Sequence, residues 1–138
     1  VEQALEGLGR APGLPVGSEI PPELAEVVDR KTVVLFWNPG CGFCRAMYDD
    51  VLAWEVSPPA GAPALLVISA GDAEEVRAEG FRSEVLLDPE WSLSGELGAD
   101  GTPMALLVDA DGRVASSLAG GATDALAMLG TGALAESD

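Results

Sequence analysis

Residues 33–45 of the chain read VVLFWNPGCGFCR, an apolar run followed closely by two cysteines. The apolar run, Val33–Trp37, has the composition and length of a buried strand. From Cys41 to Glu55 apolar side chains recur at intervals of three and four residues, which predicts a helix of about four turns. The dithiol of Cys41 and Cys44 is therefore expected at the point where a buried strand passes into a helix.

Patterns elsewhere in the chain predict an α/β domain built around this unit. Short apolar runs bounded by proline and glycine are typical of strands, whereas spacings of three and four indicate helices. The order strand, helix, strand favours parallel pairing at first, and a later pair of strands flanks the turn Asp109–Gly112 as a hairpin. The further predicted elements are a proline-started helix from Pro21, strands at Ala64–Ser69, Met104–Val108 and Arg113–Leu118, and helices at Asp72–Glu79 and Thr123–Leu129.

The length and composition suit one packed domain. The chain has 138 residues, of which 48% are hydrophobic and 22% charged, enough apolar material for a single core but not for two. We predict an N-terminal segment or linker over residues 1–20, the folded domain over residues 21–130 and a tail over residues 131–138.

The charge and the residue inventory exclude several functions. The chain has 7 Lys and Arg against 23 Asp and Glu, a net charge of -16, and it has no histidine. Such an acidic chain repels phosphate backbones, so nucleic acid is excluded as a partner. The absence of histidine excludes Ser-His-Asp and Cys-His catalysis. No signal or transmembrane segment is expected within the chain. Because it starts at Val1 rather than Met, a membrane anchor outside it stays open.

The two cysteines carry the chemistry that the sequence predicts. At a strand-helix junction Cys41 lies at the helix N-terminus, where unpaired N–H groups and the helix dipole favour a thiolate. Cys44 lies one turn inside the helix and is expected to be shielded. A thiolate that attacks a substrate disulfide forms a mixed disulfide, which a second thiol one turn away can resolve. Cys41 is therefore predicted to be the nucleophile and Cys44 the resolving thiol.

Other uses of the dithiol are weaker interpretations. A structural disulfide that closes so small a ring would stabilise the fold little. A zinc site needs two more ligands, and the chain has no other cysteine and no histidine. We therefore predict neither a metal nor an organic cofactor, and a redox-active disulfide as the reactive group.

Two segments resemble a known family. Residues 36–45, FWNPGCGFCR, resemble the active-site segment of thioredoxin-fold proteins, nearest the TlpA-like and ResA-like thiol-disulfide oxidoreductases of bacteria. Residues 101–112, GTPMALLVDADG, resemble the second landmark of that family, a cis-proline that faces the dithiol, followed by an apolar strand and a turn. The resemblance implies a thioredoxin-like α/β fold, with a central mixed β-sheet flanked by helices on both faces.

The resemblance also implies the roles of residues around the dithiol. Trp37 is expected to pack beneath the two cysteines. Arg45 either increases the thiolate population through its charge or is an ordinary solvated arginine on the helix face. The implied catalytic residues are Cys41 and Cys44, the substrate-binding residues are Thr102, Pro103, Phe43 and Gly42, and the supporting residues are Trp37, Pro39, Gly40 and Arg45.

The chain departs from the family at two acidic positions. Thioredoxins carry a buried acid six residues before the first cysteine, where this chain has Leu35. TlpA-like proteins often carry a glutamate three residues after the second cysteine, where this chain has Met47. Without these acids, proton exchange at Cys44 is expected to depend on water or on Asp49 and Asp50.

The dithiol predicts a thiol-disulfide oxidoreductase, and the resemblance implies that it reduces or exchanges disulfides of extracytoplasmic proteins from a periplasmic or membrane-tethered location. The expected partners are protein thiols and disulfides together with a redox partner that the sequence does not identify. No histidine or other cation lies between the cysteines, which favours the reducing direction, at a potential between about -270 mV and about -120 mV. The alternative is a non-catalytic thioredoxin-fold binding module with a vestigial dithiol.

Overall fold

A computed structural model describes residues 14–131 of the chain. Residues 1–13 of the predicted N-terminal segment, and the predicted tail from residue 132 onward, lie outside the described residues. None of the helices within residues 14–131 has both the length and the apolar character needed to cross a membrane.

Helices and strands alternate along most of the described chain. The predicted strand after the N-terminal helix, the helix after Cys41, the strand at 64–69 and the helix at 73–79 are all present. In chain order the elements are α1 (Pro22–Ala25), β1 (Thr32–Trp37), α2 (Gly42–Val56), β2 (Ala64–Ser69), α3 (Ala73–Glu79), β3 (Glu84–Leu87), α4 (Ser92–Glu96), β4 (Met104–Val108), β5 (Ala119–Gly120) and α5 (Ala122–Thr131).

The strands form one mixed sheet in the order β3-β2-β1-β4-β5. β1 pairs in parallel with β2, and β2 in parallel with β3. β4 pairs antiparallel with β1 on its other side, and β5 antiparallel with β4. The central strand β1 is buried along its whole length. This arrangement confirms the predicted central mixed sheet.

The two faces of β1 build two separate parts of the core. Successive strand residues point to opposite faces of a sheet. Val34 and Phe36 therefore pack with Leu24 of α1 and Leu97 after α4. On the opposite face, β1 packs against α2 and α5. The buried cluster there includes Val33, Leu35 and Trp37 of β1, Cys44, Met47 and Val51 of α2, and Ala125 and Met128 of α5. Helices thus cover both faces of the sheet, and the face under α2 carries the dithiol.

The hairpin after β4 is shorter than the sequence predicts. The turn forms as expected, since the Gly112 N–H donates to the Asp109 carbonyl at 3.0 Å. The prediction of a strand over Arg113–Leu118 is wrong, because the strand that returns alongside β4 on its outer side is β5, at Ala119–Gly120. Val114 makes only an isolated bridge to β4. The Leu107 N–H then donates to the Ser116 hydroxyl at 3.0 Å, where a strand would offer a backbone carbonyl.

Val114 is also tied to the segment before α1. Its N–H donates to the Ser18 carbonyl at 2.8 Å, and its carbonyl accepts from the Gly17 N–H at 2.8 Å. Ile20 is buried in the core. The packed part of the chain therefore begins before Pro21.

The sequence analysis did not predict β3 and α4. β3 is a four-residue edge strand whose side chains are only partly buried, so it lacks the continuous apolar run of a central strand. α4 has five residues and follows Trp91, whose φ of 65° lies in the left-handed region that residues other than glycine seldom adopt. Asp88 is buried there, and its carboxylate accepts from the N–H groups of Leu93 at 3.2 Å and Ser94 at 2.7 Å.

The carboxylate of Asp88 is expected to stabilise the fold by capping α4. Asp88→Ala leaves two N–H groups of the first helical turn without their acceptor, so the free energy of unfolding should fall by about 1–3 kcal/mol. Urea denaturation measures the loss. Glu90→Ala, two residues away and exposed, is the control and should stay within about 0.5 kcal/mol of wild type. Equal stability of Asp88→Ala and Glu90→Ala would show that the cap does not matter.

Candidate active site

A tight turn between β1 and α2 places Cys41 at the start of the helix. The Cys41 N–H donates to the Asn38 carbonyl at 2.9 Å, and the Gly40 N–H donates to the Asn38 side-chain oxygen at 3.0 Å. Cys41 is the N-cap residue, with extended backbone angles, and its carbonyl accepts the helical hydrogen bond from the Arg45 N–H at 3.0 Å. The sequence Asn-Pro-Gly therefore ends the strand and starts the helix within four residues.

The two thiols lie in very different surroundings. Cys41 is partly exposed, whereas Cys44 is completely buried in the core under α2. The same core cluster contains Leu35 and Met47, the two positions at which the resemblance would lead one to expect acids. The interior around Cys44 is thus apolar, and Asp49 and Asp50 both lie exposed on α2.

These surroundings shift the two thiol pKa values in opposite directions. Burial alone would raise the pKa of Cys41, but hydrogen bonds from the Thr102 side chain and from the N–H groups of Cys44 and Phe43 lower it below its ordinary value. Burial raises the pKa of Cys44 to about 12, against weaker opposing hydrogen bonds. Near neutral pH, a larger fraction of Cys41 than of Cys44 is therefore ionised to the thiolate.

The loop before β4 lies against Cys41. The antiparallel register places Met104 opposite Phe36, so the residues before Met104 reach the end of β1 at which the dithiol lies. The Cys41 thiol donates to the Thr102 carbonyl at 3.5 Å. The Thr102–Pro103 peptide bond is cis, and Pro103 is buried. Thr102 and Pro103 thus lie beside the dithiol, although they follow it by about sixty residues.

The remaining residues of the segment divide between solvent and core. Gly40 and Gly42 are exposed, and Phe43 keeps 73% of its surface exposed. Pro39 packs against the loop after β2, where a Cβ atom on Gly71 would lie 3.2 Å from the proline ring. The structure therefore leaves one apolar side chain, Phe43, open to solvent next to Cys41.

Trp37 lies in the same buried cluster as Cys44, on the core side of the dithiol. Its ring meets Phe81 edge-on, with the ring centroids 5.2 Å apart, and it also contacts Tyr48 at 6.5 Å. The indole N–H donates to Glu79 Oε1 at 3.1 Å. Glu79 also pairs with Arg45, whose Nη1 lies 2.8 Å from Glu79 Oε2. Arg45 is therefore neither an unpaired cation nor a purely solvated one.

Glu79 is the residue near the site that the sequence analysis did not single out. It belongs to the predicted helix, but its composition and charge do not separate it from the exposed Glu74 and Glu75. The sequence feature that could have identified Glu79 is its spacing of three residues from Val76, because this spacing places both side chains on one helix face. Both residues are buried.

Within residues 14–131 there is no group of three or more Cys, His, Asp or Glu side chains that could hold a metal ion. The site consists of the partly exposed thiol of Cys41, the buried thiol of Cys44 and the loop of Thr102 and Pro103 beside them.

Several solved structures with a similar fold are described as thiol-disulfide oxidoreductases or interchange proteins. A proposed thiol:disulfide interchange protein DsbE from Chlorobium tepidum is 18% identical, with a TM-score of 0.68 over 83% of this chain and 93% of that one. A secreted Mycobacterium tuberculosis disulfide oxidoreductase homologous to E. coli DsbE is 19% identical, with a TM-score of 0.58 over 72% and 75%. The thioredoxin domain of a Bacteroides vulgatus thiol-disulfide oxidoreductase is 16% identical, with a TM-score of 0.59 over 88% and 95%.

Sequence comparison adds no closer relative. No protein-family model matches the chain, and no curated protein matches it either. At identities below 20% a structural likeness concerns the fold. The chain has the thioredoxin-like fold of these oxidoreductases, as its two motif segments predict.

Proposed function

We propose that the protein is a thiol-disulfide oxidoreductase in which Cys41 is the nucleophile and Cys44 the resolving thiol. The observation that carries the proposal is the contrast between two thiols that lie within one helical turn. Cys41 is partly exposed and has a lowered pKa, whereas Cys44 is fully buried and has a raised pKa. A structural pair of cysteines does not need this contrast, but an attacking and a resolving thiol do.

The first step is attack on a substrate disulfide. The Cys41 thiolate forms a bond to one sulfur of the disulfide, and the substrate S–S bond breaks. The other substrate sulfur leaves as a thiolate and takes a proton from water. The product is a mixed disulfide between Cys41 and the substrate.

The second step releases the substrate. Cys44 loses its proton and attacks the Cys41 sulfur, which forms the Cys41–Cys44 disulfide and frees the second substrate thiolate. Two electrons have then passed from the protein dithiol to the substrate disulfide. A dithiol partner must supply two electrons to restore the reduced protein, and the reverse sequence oxidises a substrate dithiol. The reaction uses no cofactor other than this disulfide.

A protein substrate is expected to lie in an extended conformation across the dithiol. The Thr102 backbone beside Cys41 can pair with such a peptide in the manner of a neighbouring strand. Gly42 and Phe43, which follow Cys41 directly, are exposed, so Phe43 offers an apolar contact. Pro39 and Gly40 support the turn that presents Cys41, and Pro103 supports the facing loop.

We propose further that the protein acts on extracytoplasmic proteins and in the reducing direction. One of the structurally similar proteins is a secreted oxidoreductase, which supports the location. The strong oxidants of this chemistry stabilise their reduced form strongly. In this protein the cation nearest to the dithiol in sequence, Arg45, is paired with Glu79, which supports a more reducing potential. The net charge of -16 also fits proteins rather than nucleic acids as partners.

Disulfide turnover tests the proposal directly. Wild-type protein should reduce insulin or glutathione disulfide in the presence of a dithiol, and Cys41→Ser should abolish the reaction because it removes the nucleophile. Cys44→Ser should instead accumulate a mixed disulfide through Cys41, which mass spectrometry identifies. A wild type that turns over no faster than Cys41→Ser, and a Cys44→Ser variant that traps nothing, would leave the non-catalytic binding module as the correct interpretation.

The apolar surroundings of Cys44 predict a pH-dependent second step. Only the thiolate attacks, and the pKa of Cys44 is about 12, so release should accelerate by about tenfold per pH unit wherever deprotonation limits it. Met47→Glu introduces a carboxylate among the neighbours of Cys44, so it should speed release near neutral pH and flatten the profile. The cost in stability is about 1–3 kcal/mol, because Met47 is buried.

The matched control for this experiment is Met47→Gln. It introduces a polar side chain of the same length that cannot accept a proton near neutral pH. Stopped-flow release of the mixed disulfide should follow the wild-type profile in Met47→Gln and a faster, flatter one in Met47→Glu. Identical profiles in folded Met47→Glu and Met47→Gln would show that proton transfer does not limit the reaction.

A further inference from the structure

The carboxylate of Glu79 is buried beside the redox site but takes no part in the steps proposed above. Its side chain is only 9% exposed at the end of α3. One oxygen accepts from the Trp37 indole at 3.1 Å, and the other accepts from the Arg45 guanidinium at 2.8 Å. The backbone carbonyl of Glu79 accepts a hydrogen bond from the Tyr48 hydroxyl. These three hydrogen bonds thus run to Trp37, just before the dithiol, and to α2.

This location is unfavourable for an isolated negative charge. Burial removes water from a carboxylate, and the C-terminal end of a helix repels it. The Arg45 guanidinium supplies the compensating charge. Arg45 is itself held on a second side, because its guanidinium carbon lies 4.9 Å from the centre of the Tyr48 ring. The guanidinium thus has a partner on two sides, the Glu79 carboxylate and the Tyr48 ring.

In the sequence, the side-chain partners of Glu79 lie on both sides of the two cysteines. Trp37 precedes Cys41 by four residues, and Arg45 follows Cys44 directly. The Arg45 N–H donates to the Cys41 carbonyl at 3.0 Å, so Arg45 lies one helical turn from the nucleophile. A cation on the helical turn that follows the nucleophile would favour a Cys41 thiolate unless it is neutralised.

Several other ionisable groups lie on the elements around the dithiol. Glu79 is the buried carboxylate among them, and it is the one paired with Arg45. The charged and titratable side chains on these elements, apart from the two thiols, are Arg45, Tyr48, Asp49, Asp50 and Glu55 on α2, Glu74, Glu75, Arg77 and Glu79 on α3, Asp100 in the loop before Pro103, and Asp124 on α5.

We propose that Glu79 is a positioning residue of the redox site: it holds and neutralises Arg45, so that this cation does not stabilise the Cys41 thiolate. The inference rests on the proposed role of Cys41 as the nucleophile. Stabilising the thiolate of a dithiol makes its disulfide more oxidising. Glu79 therefore keeps the protein on the reducing side, although it touches neither cysteine.

Glu79→Gln tests the inference, because glutamine keeps an acceptor for Trp37 but removes the charge that neutralises Arg45. The pKa of Cys41, measured from the pH dependence of iodoacetamide alkylation, should fall by roughly half a pH unit. The thiolate fraction below that pKa then rises about threefold. Equilibration with glutathione should show a more oxidising dithiol. Glu75→Gln, an exposed carboxylate of the same helix, should change neither quantity.

A cycle with Arg45→Met distinguishes neutralisation of Arg45 from a direct effect of Glu79 on Cys41. In the Arg45→Met background, Glu79→Gln should no longer shift the alkylation profile in the way it does in wild type. The double variant leaves no buried charge unpaired, so it should fold even where a single variant does not, and its Cys41 pKa should match wild type. An unchanged pKa in folded Glu79→Gln overturns the inference. So does the same shift in both backgrounds, or a double variant that differs from wild type by half a pH unit.

Alkylation requires no substrate, so this test is independent of turnover. A shifted alkylation profile in a protein without disulfide turnover would refute the proposed function and leave the control of Cys41 by Glu79 intact. Normal turnover with an unshifted profile would refute the role of Glu79 and leave the proposed function intact.

Discussion

The transition from β1 to α2 within four residues is the constraint on which the rest of the site depends. β1 is the buried centre of the sheet, so the helix that follows it must lie on the sheet face and bury one of its sides. Cys41 begins that helix and stays within reach of solvent, whereas Cys44, one turn later, faces the core. Two identical thiols thereby acquire opposite pKa shifts, because Cys41 receives hydrogen bonds at the start of the helix and from Thr102 whereas Cys44 is buried.

The antiparallel strand β4 and the helix α3 complete the site from two sides. β4 brings Thr102 to the Cys41 sulfur, where both hydrogen bonding and substrate pairing become possible. α3 brings Glu79 to Trp37 and Arg45. In a chain with only 7 lysines and arginines, the cation next to the dithiol is engaged by a buried carboxylate, which fits a protein that does not depend on a strongly stabilised thiolate.

The sequence predicted the elements that have a strong periodic signal. β1, β2, α2 and α3 each have a continuous apolar run or a clear helical spacing, and the glycine turn after β4 forms where expected. β3 is a partly buried edge strand and α4 a single turn capped by Asp88, so neither has such a pattern. The predicted strand over residues 113–118 fails because Val114 exchanges backbone hydrogen bonds with the segment before α1 and the Leu107 N–H of β4 donates to the Ser116 hydroxyl rather than to a backbone carbonyl. Glu79 was missed because its partners come from distant parts of the chain.

The most direct test of the account is a titration of the two thiols in the reduced protein. Thiolate absorbance in the ultraviolet, with Cys41→Ser and Cys44→Ser used to assign each step, reports the two pKa values separately. The account predicts that Cys41 titrates below the ordinary pKa of a cysteine and that Cys44 titrates only near 12. Two thiols that titrate together near the ordinary value would contradict it, because the division into nucleophile and resolving thiol would then have no electrostatic basis.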